Sequence, residues 1–305
     1  MLKKTYRRKI EQAIICRVTL ATSALVRALS LPAVQRLGRR VAWLIVHLFQ
    51  ARQRMADRNL AAAFPDMTAQ QRRQVRLESV QNICCTMLEL LKLPAISRTE
   101  LAELVDAEGH EHLQAALAQD RGLIILTAHY GNWEVLGAWL AQQVPEVHVV
   151  ARDAAHDVTA SIINQARASH GLQVVDRDDV RHMLRVLNAG SVLGILPDQH
   201  SLQGGVLVDF MGRPAWSFTG TALLAQRTGA IILPIFCWRT PAGHFRLQIH
   251  PSLELVETGD RQADALLNTR RIMAVIEEQI YRQPEPWLWL HNRWKHHPEA
   301  EPANS

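Results

Sequence analysis

Apolar and polar positions change period along the chain. Residues 68–92 carry Val75, Val80, Ile83, Met87, Leu90 and Leu91 at roughly helical spacing. Thr68 follows the Phe64-Pro65-Asp66 turn as a plausible cap, so the pattern predicts a helix from Thr68 to Lys92. From residue 122 short apolar runs alternate with helical patterns. Strands are expected at Gly122–Thr127, Val147–Ala151, Leu172–Val175, Val192–Leu196, Val206–Phe210, Ile231–Trp238 and Phe245–Ile249. Helices are expected at Asn132–Gln142, near 157–170, near 178–188, at Ser217–Arg227 and near 260–283. Such alternation implies an α/β fold, a mostly parallel central sheet flanked by helices, with functional groups at the carboxyl ends of the strands.

The first 55 residues read differently. They contain twelve Lys or Arg and a single acid, Glu11, a net charge of +11. The rest of the chain holds 22 basic against 28 acidic residues, a net −6. A basic arm on a mildly acidic body points to an anionic surface. The apolar stretches of the arm are short: nine uncharged residues from Val18 to Val26 and eleven from Val41 to Ala51. A spanning helix needs about twenty. The composition fits helices lying in a membrane interface with arginines reaching lipid phosphates, and a tilted span with snorkelling arginines stays open. Nucleic acid is disfavoured, because Tyr6, Trp43 and Phe49 are not interleaved with the basic cluster as a stacking platform would be. The expected organisation is an arm at 1–55, a catalytic body at 56–295 and a polar tail at 296–305.

Chemistry enters at the first strand-to-helix junction, Thr127-Ala-His129-Tyr-Gly131-Asn132-Trp-Glu134. A histidine with an acid five positions on occurs three times, at His129/Glu134, His148/Asp153 and His296/Glu301, so spacing alone decides nothing. His296 lies in the polar tail and His148 within an apolar strand. His129 alone follows a buried run, with Gly131 to permit a tight turn and Asn132 to cap the next helix. Glu134 then falls in the first helical turn, able to fold back on the imidazole. Such a pair suits general base catalysis. There is no GxSxG elbow and no HExxH for zinc, so the attacking group is expected to be a substrate hydroxyl rather than an enzyme side chain. The four cysteines form no CxxC pair and read as reduced thiols.

The block Leu126–Glu134 resembles the first motif of the bacterial lipid A biosynthesis acyltransferases, the late lauroyl- and myristoyl-transferases of the lysophospholipid acyltransferase superfamily. Further segments agree in order: Arg58-Asn59-Leu60 through Asp66, Glu89, Arg167–Gly171, Leu196-Pro197-Asp198-Gln199, Val208–Gly212 and Trp287–Lys295. The likeness runs from about residue 50 to 295, and departs from the family at Met211, where a second aromatic is usual.

That resemblance implies a glycerol-phosphate-acyltransferase-like fold and an acyl-carrier-protein-dependent O-acyltransferase at the cytoplasmic face of the bacterial inner membrane. His129 would deprotonate a hydroxyl of a lipid A precursor, and Glu134 would orient and charge it. The donor would be an acyl thioester on acyl carrier protein, with neither metal nor cofactor needed. Arg167 or backbone amides at the Asn132 helix would stabilise the oxyanion, or Arg167 would grip a sugar phosphate. Asp198 would hold Arg167 or a sugar hydroxyl. Gln199 and Arg152 complete the substrate-binding candidates, Arg152 as a phosphate ligand. Trp287, Trp289 and Trp294 read as core or interfacial anchors. An acyltransferase for another glycolipid or a lysophospholipid, a hydrolase, and a non-catalytic membrane-binding protein on the same fold are the alternatives. The intact His129/Glu134 pair argues against the last.

Overall fold

The computed structural model describes residues 2–151 and 158–295. Three helices form the arm: α1 (Leu2–Ala28), α2 (Leu31–Leu48) and α3 (Gln50–Ala63). Helix α3 runs through residue 55, so the arm joins the body without a break in helix. Helix α4 (Ala69–Lys92) begins at Thr68 with a capping box, the Thr68 hydroxyl accepting from the Gln71 amide and the Gln71 side chain accepting from the Thr68 amide.

The body alternates as the sequence pattern requires. Its elements are α5 (Arg98–Leu104), β1 (Val105–Glu108), α6 (His110–Leu117), β2 (Leu123–Leu126), α7 (Trp133–Gln143), β3 (Val147–Ala151), α8 (Val158–Ala168), β4 (Leu172–Asp176), α9 (Val180–Asn188) and β5 (Val192–Ile195). Then come β6 (Gly205–Phe210), β7 (Arg213–Phe218), α10 (Gly220–Thr228), β8 (Ile231–Arg239), β9 (Phe245–Ile249) and α11 (Arg261–Arg282). The main sheet has seven strands in the order β1-β9-β8-β2-β5-β3-β4. Every pairing is parallel except that of β8 with β9.

The central strands are buried on both faces. In β2, Ile124 and Leu126 enter the core shared with α9, α10 and α11, while Leu123 and Ile125 enter the core shared with α5, α6 and α7. An apolar run without alternation is what burial on two sides demands.

Two expectations are corrected. The helix expected from Ser217 begins at Gly220, because Arg213–Phe218 is a strand paired antiparallel with β6. Met211 and Gly212 both adopt left-handed conformations (φ 55° and 72°), the geometry of a two-residue hairpin turn, and the ladder then runs on through Ser217. The segment 98–117, left without elements by its pattern, folds as α5, β1 and α6. These are short, and β1 is buried at Val105 but exposed at Asp106 and Glu108.

Helix α2 packs along α4 through a close contact. A Cβ on Gly38 would lie 2.7 Å from the Cys85 sulfur, so only glycine permits this approach. The opposite sides of α1 and α2 carry apolar groups into solvent, among them Ile14, Val18, Leu25, Trp43 and Leu44, with Leu48 65% exposed. Arg17, Arg36, Arg39 and Arg40 are exposed beside them. Among the described residues no helix is long and apolar enough to cross a membrane. Cys84, Cys85 and Cys237 are buried, and burial pushes the first two thiols up to about 11.

Candidate active site

The site forms where β2 and β5 end side by side. The parallel register sets Leu126 opposite Ile195. Three residues beyond each stand His129 and Asp198, and the amide of Thr127 prolongs the ladder by donating to the carbonyl of Ile195. The His129 ring donates from Nδ1 to Asp198 Oδ1 at 2.8 Å. The His129 backbone amide donates to Oδ2 at 3.0 Å, and the Trp287 indole donates to the same oxygen at 2.9 Å. A carboxylate that accepts on Nδ1 fixes the tautomer and leaves the Nε2 lone pair facing outward.

Charge follows from this geometry. Asp198 is 1% exposed, and burial alone would raise its carboxyl; the imidazole charge and the three donors hold it below the usual range. Burial likewise opposes charging of His129, but Asp198, through charge and hydrogen bond, and then the charge of Glu134 raise the ring above the usual imidazole value. The His129 side chain stays 24% exposed, so Nε2 is reachable. The Gln199 side-chain nitrogen lies 3.2 Å from it. The Trp133 ring meets the imidazole edge-on at 5.2 Å between centroids.

Glu134 is placed differently from the expectation that it folds back on the imidazole. Its carboxylate accepts from Arg167 Nε at 2.9 Å and Arg167 Nη2 at 2.6 Å, and from the Trp133 indole at 3.0 Å. The reason is local. The Asn132 side chain accepts from the amides of Glu134 and Val135, starting α7 so that Glu134 projects toward the end of α8, where Arg167 stands. Asp198 takes the imidazole contact instead, and Glu134 acts on His129 through its charge.

The other candidates divide accordingly. Arg167 is bound in a fork to Glu134, and its remaining nitrogen reaches Asn164 at 3.3 Å. Asp198 holds neither Arg167 nor free space for a sugar hydroxyl, since His129 and Trp287 occupy both its oxygens. Asn132 is fully buried, with its Oδ1 capping α7 and its Nδ2 donating to Glu89 at 2.7 Å. Gln199 alone of the four reaches Nε2 of His129. Arg152 lies outside the described residues, as do Asp153 and the pair His296/Glu301. His148 pairs with Glu146 at 3.1 Å, away from this turn in sequence and partners.

Several groups beside these candidates have parts in the site that the sequence pattern did not assign to them. Trp287 was expected as an anchor; it is buried and orients Asp198. His291 accepts at Nε2 from the His200 amide at 3.0 Å, and burial drives its pKa down to about 4. Arg239, at the end of β8, pairs with Glu89 and also donates to Asn82 and Thr86, whose side chains hold the carbonyl of Gly131 at 2.9 Å each. Gly131 sits at φ 58°, and a Cβ there would lie 1.8 Å from the carbonyl oxygen of Cys237, so the turn requires glycine. A sequence signal existed for Glu89 and Arg239: an acid inside an apolar helix face and an arginine closing an apolar strand both need partners. Among the described residues no group of three or more His, Cys, Asp or Glu is arranged to hold a metal ion.

Comparison with known proteins adds a family. The family model for bacterial lipid A biosynthesis acyltransferase matches residues 1–296. The chain is 27% identical to a lipid A biosynthesis lauroyltransferase of Escherichia coli K12, over 92% of this chain and 90% of the relative. It is 25% identical to a lipid A biosynthesis palmitoleoyltransferase of the same organism, over 88% and 87%. It is also 29% identical to a phosphatidylinositol mannoside acyltransferase of Mycobacterium tuberculosis, over 68% and 66%.

Proposed function

Because the chain belongs to the bacterial lipid A biosynthesis acyltransferase family, we propose that it transfers a fatty acyl chain from acyl carrier protein to a hydroxyl of a lipid A precursor, with His129 as general base. The observation that carries this reading is the imidazole itself: Nδ1 is tied to buried Asp198 and Nε2 is turned outward.

The acceptor hydroxyl approaches Nε2, displacing the Gln199 amide. Its proton passes to Nε2 as its oxygen bonds to the thioester carbonyl carbon. The imidazolium is stabilised by Asp198 beside it and by the charge of Glu134 farther off. The tetrahedral intermediate collapses, the carbon–sulfur bond breaks, and the proton on Nε2 returns to the leaving thiolate. The products are an ester and a free thiol on the carrier. The Gln199 side-chain nitrogen, 3.2 Å from Nε2, is a donor placed to meet the developing oxyanion.

The exposed apolar groups and arginines of α1 and α2 support attachment to the cytoplasmic face of the inner membrane, with aliphatic and aromatic groups in the interface and arginines at lipid phosphates. The similarity to phosphatidylinositol mannoside acyltransferases favours a second reading, an O-acyltransferase acting on a different glycolipid. Mass spectrometry of lipid A from cells with and without the gene separates the two. A gain of one acyl group supports the first reading; unchanged lipid A with an altered second glycolipid supports the other.

A further inference from the structure

A chain of buried polar contacts runs from the arm to the catalytic turn. It begins at Gln35 on α2, which is 2% exposed. Gln35 Nε2 donates to Glu89 Oε1 at 3.0 Å and to the carbonyl of Gly243, in the β8–β9 turn, at 2.7 Å. Both hydrogens of that nitrogen are therefore engaged. A Cβ on Gly243 would lie 2.6 Å from Gln35 Oε1, so the turn is shaped to admit this side chain. Glu89 is 1% exposed and accepts from three residues. Arg239 grips it through Nε and Nη2, Gln35 holds Oε1, and Asn132 Nδ2 donates to Oε2 at 2.7 Å. Asn132 in turn caps α7 and follows directly on the His129-Tyr130-Gly131 turn.

A carboxylate filled on both oxygens has one orientation. Without the Gln35 donor, Oε1 keeps only Arg239 Nε at 2.8 Å, and the carboxylate can rotate toward the Arg239 guanidinium and away from the Asn132 amide. We propose that Gln35 and Glu89 are positioning residues for the catalytic turn, so that helix α2 is a working part of the active-site scaffold as well as a surface element. The far side of that helix carries exposed Trp43, Leu44 and Leu48, so one helix presents apolar groups outward and holds the turn inward. This inference rests on the reading of His129 as the base.

The test uses the full chain in detergent micelles, where recruitment to a bilayer plays no part. Gln35→Met keeps the volume and removes the donor. Loss of one buried hydrogen bond to a charged group corresponds to a fall of about tenfold in kcat, with KM and sedimentation with phosphatidylglycerol vesicles unchanged. In an Asn132→Ala background the same change should have no further effect on kcat, because both act through one chain. The ring 15N resonances of His129 report the turn without substrate. They should move in Gln35→Met and stay in place in Val26→Ala, which opens a cavity in the small core between α1, α2, α4 and α8. Gln35→Asn, polar but one methylene shorter, serves the same comparison where Gln35→Met does not fold. Unmoved His129 resonances, or a kcat loss that adds fully to that of Asn132→Ala, would overturn the proposal. Full activity of a His129→Ala variant would instead overturn the reading of the base, and the resonances would still judge the positioning.

Discussion

The His129 turn and the N-terminal arm solve opposite problems. At the turn, nearly every polar group is buried and paired: His129 with Asp198, Glu134 with Arg167, Asn132 with Glu89. In the arm, large apolar groups such as Trp43 and Leu48 are exposed to water over more than half of their surface. The difference teaches where each part gets its free energy. Paired charges in a dry environment gain orientation and are costly to break, because the surviving partner keeps its desolvation penalty. Exposed apolar area gains only when something covers it, at about 25 cal/mol per Å². Mutations in the turn should therefore alter rate, and mutations in the arm should alter partition.

The largest effect is expected at His129. Removing a general base costs about 10²–10⁴ in rate. His129→Ala should lose at least the upper figure in kcat, read by acyl transfer from acyl carrier protein, while binding to anionic vesicles is unchanged. Activity within tenfold of wild type would rule out the base.

Next comes the choice between the two acids. Asp198→Asn should lower kcat by about 10³, somewhat less than the roughly 10⁴ that a wrong tautomer costs in a serine-protease triad. It should also move the acidic limb of the pH–rate profile to lower pH. The sign follows from the ring: Asp198 raises the imidazole pKa, so without it the base is free of its proton in more acidic solution. Glu134→Gln should cost less, about tenfold, because Glu134 acts on the ring by charge alone while its hydrogen bonds go to Arg167 and Trp133. A larger loss in Glu134→Gln than in Asp198→Asn would return the imidazole contact to Glu134.

The reason the sequence favoured Glu134 is physical. Sequence spacing sees near neighbours, and His129 and Glu134 stand only five positions apart across the start of α7. Asp198 is 69 residues away and meets His129 only because β5 happens to lie beside β2. That adjacency depends on strand order, which periodicity does not encode. The alternation that does encode strands and helices was legible through most of the body. It failed at β7, where polar Arg213 and Ser217 masked a strand, and in the short elements between Arg98 and Leu117. The arm was legible as basic, apolar and helical; its buried link to Glu89 was not, because Gln35 carries no charge to betray a partner.

In the arm, Trp43→Ala with Leu44→Ala and Leu48→Ala should weaken binding to anionic vesicles by about tenfold or more, each side chain contributing on the order of 1 kcal/mol when covered by lipid. Turnover in detergent should be unchanged, because these groups face away from Gln35. An equal loss of kcat in micelles would erase the distinction between the two regions.

The smallest expected effect concerns stability against acid. His291 is half-buried beside the site, its Nε2 accepts from the His200 amide, and its pKa falls to about 4 in the folded chain. In the unfolded chain an imidazole takes its proton near 6.5. Between these values the unfolded state binds the extra proton, so stability falls as pH drops from about 6.5 toward 4. The loss is on the order of 2 kcal/mol once solvent screening at a partly exposed ring is allowed for. His291→Gln keeps an acceptor for the His200 amide and cannot take up the proton. Its urea midpoint should change less over that range than the wild-type midpoint does. A parallel fall in both would assign the acid sensitivity to other groups, and the buried carboxylate of Asp198, which must be protonated at still lower pH, would be the first of them to examine.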